Sequence, residues 1–116
     1  MSFKERYSFE KRKKESSRIM NKYKSRFPVI CEGAIQGEFN EIKKKYLVPS
    51  DLKVGHFFFL IRKKLAINDS SIALFFFLEN DIIPCPSSMF IEIYDNNKND
   101  DGFLYMKYSG ENTFGK

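Results

Sequence analysis

The clearest periodic pattern in the chain is helical and lies in residues 54–66. Apolar side chains recur at Val54, Phe58, Ile61 and Leu65, at steps of four, three and four residues. This spacing places them on one face of an α-helix, where they would pack against a core. The pattern therefore predicts a core-facing helix.

A second apolar stripe, made of Leu52, Phe57 and Leu60, lies beside the first. The helix thus carries more apolar surface than one core contact needs. The residues alone leave two interpretations open, additional core or the wall of a binding pocket. Without further information we favour additional core.

Two strands are predicted before this helix. In the segment 27–31, Val29 and Cys31 would share one face and Ile30 the other. Residues 43–48 form the second strand of a hairpin, and their lysines suit an exposed sheet edge.

The pattern after the helix predicts several short elements. Residues 72–78 form a continuous apolar run, typical of a strand buried on both faces. Ile82–Ile83 could return as a short strand, and a short helix could begin at Ser87 or Ser88 and run through Tyr94. A polar turn then leads to a last strand in residues 103–109.

Residues 4–24 predict one or two basic helices, with Ser8 as a possible N-cap. The resulting order, β-β-α-β-(β)-α-β behind a helical arm, is an α+β fold and the order of the ubiquitin-like β-grasp with two additional N-terminal helices. We expect an arm over 1–26 packed on the body, a β-grasp over 27–109 and a flexible tail over 110–116, in a single domain.

Composition limits the possible function. The net charge of +5 is uneven, because residues 1–26 alone carry ten Lys or Arg and three Glu. Such a basic arm suits an acidic partner surface. Cys31 and Cys85 lack a metal or redox spacing, so a reducing cytoplasmic compartment is expected. The single histidine, His56, has no acid or nucleophile placed beside it by spacing, so we expect neither an enzyme nor a cofactor.

Several motifs together resemble the autophagy-related ubiquitin-like modifier family (GABARAP-like). The resemblance covers nearly the whole chain in order, and its most specific part is the run YLVPSDL…VG.F.FLIRK. The matching segments are FEKR at 9–12, RFPVICE at 26–32, KKKYLVPSDLKVGHFFFLIRKKL at 43–65, ALFFF at 73–77, FLYMKYS at 103–109 and the terminal Phe114-Gly115.

The resemblance implies a conjugated modifier rather than an enzyme. A cysteine protease would cleave the bond between Gly115 and Lys116, next to Phe114. E1-like and E2-like enzymes would then join Gly115 to phosphatidylethanolamine. The protein would be cytoplasmic, and on the autophagosome membrane when lipidated. There it would bind cargo receptors and autophagy proteins that carry aromatic-x-x-aliphatic motifs.

The resemblance also implies a peptide-binding groove along the edge strand. Arg26, Lys43 and Lys64 would pair with acidic residues that flank the ligand motif. The remaining positions form two pockets. The aromatic pocket would involve Glu15, Ile19, Pro28, Ile30, Lys45, Leu47 and Phe103, and the aliphatic pocket Tyr46, Val48, Pro49, Leu52, Phe57 and Leu60.

The basic run Lys11–Lys14 has several possible roles. It could bind anionic lipid or the acidic surface of tubulin, or it could be a solvated helix face. A basic module that binds nucleic acid or an anionic surface, without conjugation, is the alternative function, since clustered cations with nearby Phe9 and Tyr7 fit such a footprint. No recognisable DNA- or RNA-reading motif accompanies them, so no nucleic-acid partner is expected.

Overall fold

A computed structural model describes residues 1–110 of the chain. The predicted tail residues Phe114, Gly115 and Lys116 lie outside the described residues. The order of elements follows the prediction, with two helices in the N-terminal arm. The elements are α1 (Phe3–Arg6), α2 (Phe9–Lys22), β1 (Arg26–Gly33), β2 (Lys45–Pro49), α3 (Val54–Lys64), β3 (Phe75–Leu78), α4 (Phe90–Asn97) and β4 (Leu104–Ser109).

The four strands form one mixed sheet in the order β2-β1-β4-β3. β1 pairs antiparallel with β2 and parallel with β4, and β3 pairs antiparallel with β4. The predicted hairpin is therefore confirmed, and β2 forms an edge of the sheet.

The larger core fills the space between one face of the sheet and the helices α3 and α4. Val29 and Cys31 point into it from β1, and Val54 and Ile61 from α3, all at most 1% exposed. Burying each such side chain fully contributes roughly 1.5–3 kcal/mol. The predicted core stripe of α3 is thus confirmed, and Phe58, although partly exposed, stacks on Phe76 of β3 with ring centroids 4.0 Å apart.

A smaller core on the opposite face of the sheet joins the N-terminal helices to the body. Ile30 of β1 and Phe103 are fully buried there under Ile19 of α2 and Phe3 of α1. The Phe3 and Phe103 rings meet edge to face, with centroids 5.1 Å apart. Alternate residues of β1 therefore serve two cores, as the period-2 pattern indicates.

The N-caps explain why the arm forms two helices. The Ser2 side chain accepts the Glu5 N–H in a capping box that starts α1. The Ser8 side chain accepts the Lys11 N–H and starts α2, which confirms the predicted cap. A new cap six residues after the first requires a break between the two helices.

Some predicted boundaries were wrong. β2 begins at Lys45 and not at Lys43, because its ladder with β1 extends only to the Ile30–Lys45 pair. α3 ends at Lys64 and not at residue 66, because Ala66 adopts a left-handed backbone with φ of 58°.

The predictions around β3 also need correction. The strand covers Phe75–Leu78, the second half of the apolar run, and its last three residues are buried as expected. Ile82 and Ile83 lie outside every strand and are about half exposed. The chain turns too tightly there for a strand, since the Leu78 N–H donates to the Ile82 carbonyl and Asp81 has a φ of 64°.

Candidate functional site

The outer edge of β2 carries main-chain groups that do not pair with β1. The Cys31 N–H donates to the Lys44 carbonyl over 2.8 Å at the start of the pairing with β1. In an antiparallel pair the bonded positions alternate. The main-chain groups of Lys45 and Leu47 therefore point away from β1, where an added strand could pair with them.

One of these outward groups is already covered by a side chain. Arg26 Nη1 donates to the Leu47 carbonyl over 3.1 Å. The Arg26 side chain lies at the exposed surface, so it can leave without opening the core. Strand addition at β2 would require this exchange of one donor for another.

The predicted aromatic pocket lies between α2 and β2. Ile19, Ile30 and Phe103 are at most 3% exposed and form its floor as part of the smaller core. Pro28 is also buried, whereas Leu47 is partly exposed and packs against this core. The structure thus places these residues on one side of β2.

A surface ion pair joins the two elements that border this predicted pocket. Glu15 of α2 and Lys45 of β2 are bonded through Oε2 and Nζ. The Lys45 side chain is 44% exposed and that of Glu15 25%, so water screens the pair and its separation costs little. A surface ion pair therefore joins α2 to β2 beside the residues predicted to form the aromatic pocket.

The predicted aliphatic pocket lies on the other side of β2, towards α3. Tyr46, Val48 and Phe57 are buried there in the larger core. The Tyr46 and Phe57 rings meet edge to face at 5.6 Å. Phe57 is therefore core, at 2% exposure, and its neighbour in the second stripe, Leu60, is 37% exposed.

Leu52 and Pro49 are intermediate in exposure and lie at the same end of the strand. The second apolar stripe thus divides into a buried member and two accessible ones. The accessible surface is formed by Leu52 and Leu60, with the core beneath them.

Cations surround the edge strand. Arg26, Lys43 and Lys64 are exposed, and Lys43 Nζ lies 5.0 Å from the centre of the Tyr46 ring. Residues 52–67 contain no Asp or Glu. The surroundings of β2 therefore favour an acidic ligand.

One cluster near the aromatic pocket was missed in the sequence analysis. Asp101 is fully buried and accepts hydrogen bonds from Arg12 Nη1 and the Tyr105 hydroxyl, both over 2.5 Å, and from the Phe103 N–H over 2.9 Å. Ser16 Oγ donates to its carbonyl. Burial and the bond to Asp101 both raise the pKa of the Tyr105 phenol.

This cluster sets the position of α2 over the aromatic pocket. Arg12, Ser16 and Ile19 follow one another at steps of four and three residues and so share a face of α2. Phe103, in the pocket floor, comes two residues after Asp101. The Asn-Asp-Asp-Gly run was the only signal in the sequence, and it indicated no more than a polar turn.

The described residues include potential metal-ligating side chains and two cysteines. Among residues 1–110, no three His, Cys, Asp or Glu side chains are grouped to hold a metal ion. Cys31 is buried in the core, and burial raises the pKa of its thiol. Both cysteines are free thiols. No helix in this part of the chain is long and apolar enough to cross a bilayer.

Comparisons with known proteins bear on the whole chain. The family model described as "Autophagy protein Atg8 ubiquitin like" matches residues 11–115. The chain is 50% identical over 116 residues to autophagy-related protein 8 of Saccharomyces cerevisiae, covering 99% of this chain and 97% of the relative. It is 51% identical over 114 residues to the protein of the same name from Schizosaccharomyces pombe, covering 97% and 93%.

Two solved structures share the fold. The crystal structure of Trypanosoma brucei ATG8 matches with a TM-score of 0.86 and 39% identity, covering 99% of this chain and 98% of that chain. Plasmodium falciparum Atg8, solved in complex with a Plasmodium falciparum Atg3 peptide, matches with a TM-score of 0.84 and 34% identity, covering 96% and 97%. The predicted ubiquitin-like fold with N-terminal helices is confirmed.

Proposed function

The chain belongs to the Atg8 family of ubiquitin-like autophagy proteins, and on this premise we propose that it is a lipid-conjugated modifier that recruits proteins bearing aromatic-x-x-aliphatic motifs. The observation that carries the proposal is the free edge of β2, with an apolar surface on either side. The Plasmodium falciparum relative solved with an Atg3 peptide supports a peptide ligand.

In this proposal the ligand adds to the sheet as a further strand. Its main chain pairs with Lys45 and Leu47, which supplies affinity that does not depend on side chains. Arg26 leaves the Leu47 carbonyl as the strand arrives. The freed guanidinium then pairs with a carboxylate of the ligand, and such charge-assisted bonds are stronger than neutral ones.

The two anchors of the motif enter on either side of β2. The aromatic residue displaces the Glu15–Lys45 ion pair and packs over Ile19 and Leu47. The aliphatic residue packs over Leu52 and Leu60. Lys43 and Lys64 attract acidic residues beside the motif.

Conjugation is the second part of the proposal. A cysteine protease removes Lys116, and E1-like and E2-like enzymes transfer Gly115 to phosphatidylethanolamine. The family match, which includes Phe114 and Gly115, supports this assignment. The protein would then pass from the cytoplasm to the autophagosome membrane, without catalysis of its own.

The alternative function, a nucleic-acid-binding module, is weakened by the contacts that the basic run makes within the protein. Arg12 is committed to Asp101, and Lys13 Nζ donates to the Asp100 carbonyl over 3.1 Å. The run Lys11–Lys14 is therefore divided between the body and the solvent. Binding of its free members to tubulin or anionic lipid stays a prediction.

Titration with a Trp-x-x-Leu peptide carrying acidic flanks tests the recruiting role. We expect the amide resonances of Lys45 and Leu47 to shift, and the Arg26 guanidinium signal to shift as it leaves the Leu47 carbonyl. An Ala-x-x-Ala peptide with the same flanks is the control. Unmoved β2 amides at saturating peptide would refute the groove.

The variant Leu60→Asp should weaken peptide binding at least about tenfold, which corresponds to about 1.4 kcal/mol. The aliphatic anchor would desolvate the new carboxylate on entering its pocket, and burying an unpaired charge is costly. Calorimetry with the same peptide measures the change.

Phe59→Asp is the matched control, because Phe59 directly precedes Leu60 on α3 and is 61% exposed. Phe59 lies outside the proposed groove, because adjacent residues of a helix point in directions about 100° apart. The variant should therefore leave the affinity for the peptide within about twofold of wild type. Equal losses in both variants would contradict the assignment of Leu60 to the pocket.

A further inference from the structure

The loop between β1 and β2 lies against the end of β4, where the C-terminal tail begins. The Ala34 N–H donates to the Tyr108 carbonyl over 2.8 Å. The Phe39 ring lies 6.2 Å from that of Tyr108. The Gly110 N–H donates to Glu38 Oε2 over 3.0 Å. Three residues of the loop thus contact the last described residues of the body.

The loop is fixed independently of these contacts. Asn40 Nδ2 donates to the Leu65 carbonyl at the end of α3, over 3.4 Å. Phe39 and Ile42 pack against the larger core. Gly37 has a φ of 81°, a conformation that glycine adopts without strain, and it sets the turn just before Glu38. Glu38 is therefore held in place by its own loop.

The contact with Gly110 is close, so that a side chain at this position would have to displace the Glu38 carboxylate. A Cβ on Gly110 would lie 2.7 Å from Glu38 Oε2 and 3.5 Å from Phe39 Cζ. The carboxylate thus approaches the main chain directly, at the point where the body ends.

The second carboxylate oxygen of Glu38 is buried in an unfavourable environment. Glu38 Oε1 is buried and has no hydrogen-bond donor among the residues that the structure describes. Burying a polar atom without a partner is unfavourable. An exposed orientation, like that of Glu41 in the same loop, would avoid the cost. The cost suggests that the bond to the Gly110 N–H has a role.

We propose that Glu38 is a positioning residue that fixes the origin and direction of the tail for the enzymes that process and conjugate it. This inference rests on the proposed function, in which the bond after Gly115 is cut. Gly115 lies five positions after Gly110, a reach of at most about 17 Å. Fixing the Gly110 main chain lowers the entropy cost of seating the bond after Gly115 in an enzyme cleft.

Glu38→Ala tests the proposal in the full-length protein. The readout is removal of Lys116 by the processing cysteine protease of the proposed function, followed by intact mass. We expect KM to rise about threefold or more with kcat unchanged, because the cut itself is remote from Glu38. Glu38→Gln keeps an oxygen acceptor and should stay close to wild type.

The matched control is Glu41→Ala, which removes a carboxylate from the exposed side of the same loop. Hydrogen exchange at the Gly110 amide gives a second readout, which needs no enzyme. It should accelerate about tenfold in Glu38→Ala and stay unchanged in Glu41→Ala.

An unchanged KM in Glu38→Ala, or equal changes in both alanine variants, would overturn the positioning role. So would a Gly110 amide that exchanges at the same rate without the Glu38 carboxylate. A wild-type protein that keeps Lys116 would instead refute the proposed processing, a result distinct from any difference between variants.

Discussion

Replacing Asp101 with alanine is expected to lower the free energy of unfolding by about 3–5 kcal/mol, the cost of breaking a buried ion pair by removing one partner. Arg12 would lose its carboxylate partner while its guanidinium side chain stays only 12% exposed. The Tyr105 hydroxyl and the Phe103 N–H would lose an acceptor in a buried environment. Each orphaned group adds to the loss.

Urea unfolding followed by circular dichroism measures this change. The control is Asp100→Ala at the exposed neighbouring position, which should stay within about 0.5 kcal/mol of wild type. Tyr105→Phe removes the bond donated to Asp101 and the longer bond accepted from Arg12 Nη1 over 3.4 Å, and should cost about 1–2 kcal/mol. A loss below 1 kcal/mol in Asp101→Ala would show that the cluster does not hold α2 to the body.

Replacing Gly115 with alanine is expected to abolish conjugation to phosphatidylethanolamine. The conjugation enzymes must bind the tail extended and activate its terminal carboxylate, and a Cβ at that residue obstructs a cleft shaped for glycine. Intact mass of the protein recovered from starved cells measures the result. Wild type should lose Lys116 and gain the lipid, whereas the variant should gain none.

Deletion of Lys116 provides the matched control for this experiment. The shortened protein ends in Gly115 and should be conjugated without the protease. A lipid adduct on Gly115→Ala would show that another residue carries the lipid. Absence of the adduct from wild type and from the deletion variant alike would refute conjugation itself.

The elements of the fold could be predicted because their signals are local. The apolar stripe from Val54 to Leu65 predicted α3. The alternation of residues in β1 predicted that they would point into two different cores. Ser8 gave the start of α2. In each case the deciding residues lie on one helix, strand or cap, where backbone geometry dictates the spacing.

The features that could not be predicted depend on contacts between residues that are distant in the sequence. Arg12 and Asp101 are 89 positions apart, so no periodicity connects them. Likewise, two apolar stripes on α3 could not reveal that Phe57 would be buried against Tyr46 while Leu60 stayed accessible. The contact between Glu38 and Gly110 spans 72 positions and rests on a turn at Gly37.

The side chains of Arg26 and Lys45 at the edge of β2 would affect how copies of the protein interact when many are anchored on one membrane. A bare edge strand pairs readily with the edge of another molecule. Lipid anchoring would concentrate copies side by side, where such sheet-to-sheet pairing is most favoured. The Arg26 guanidinium on the Leu47 carbonyl and the charge on Lys45 oppose it. The same groups that the proposed ligand would displace would thus keep neighbouring copies from polymerising.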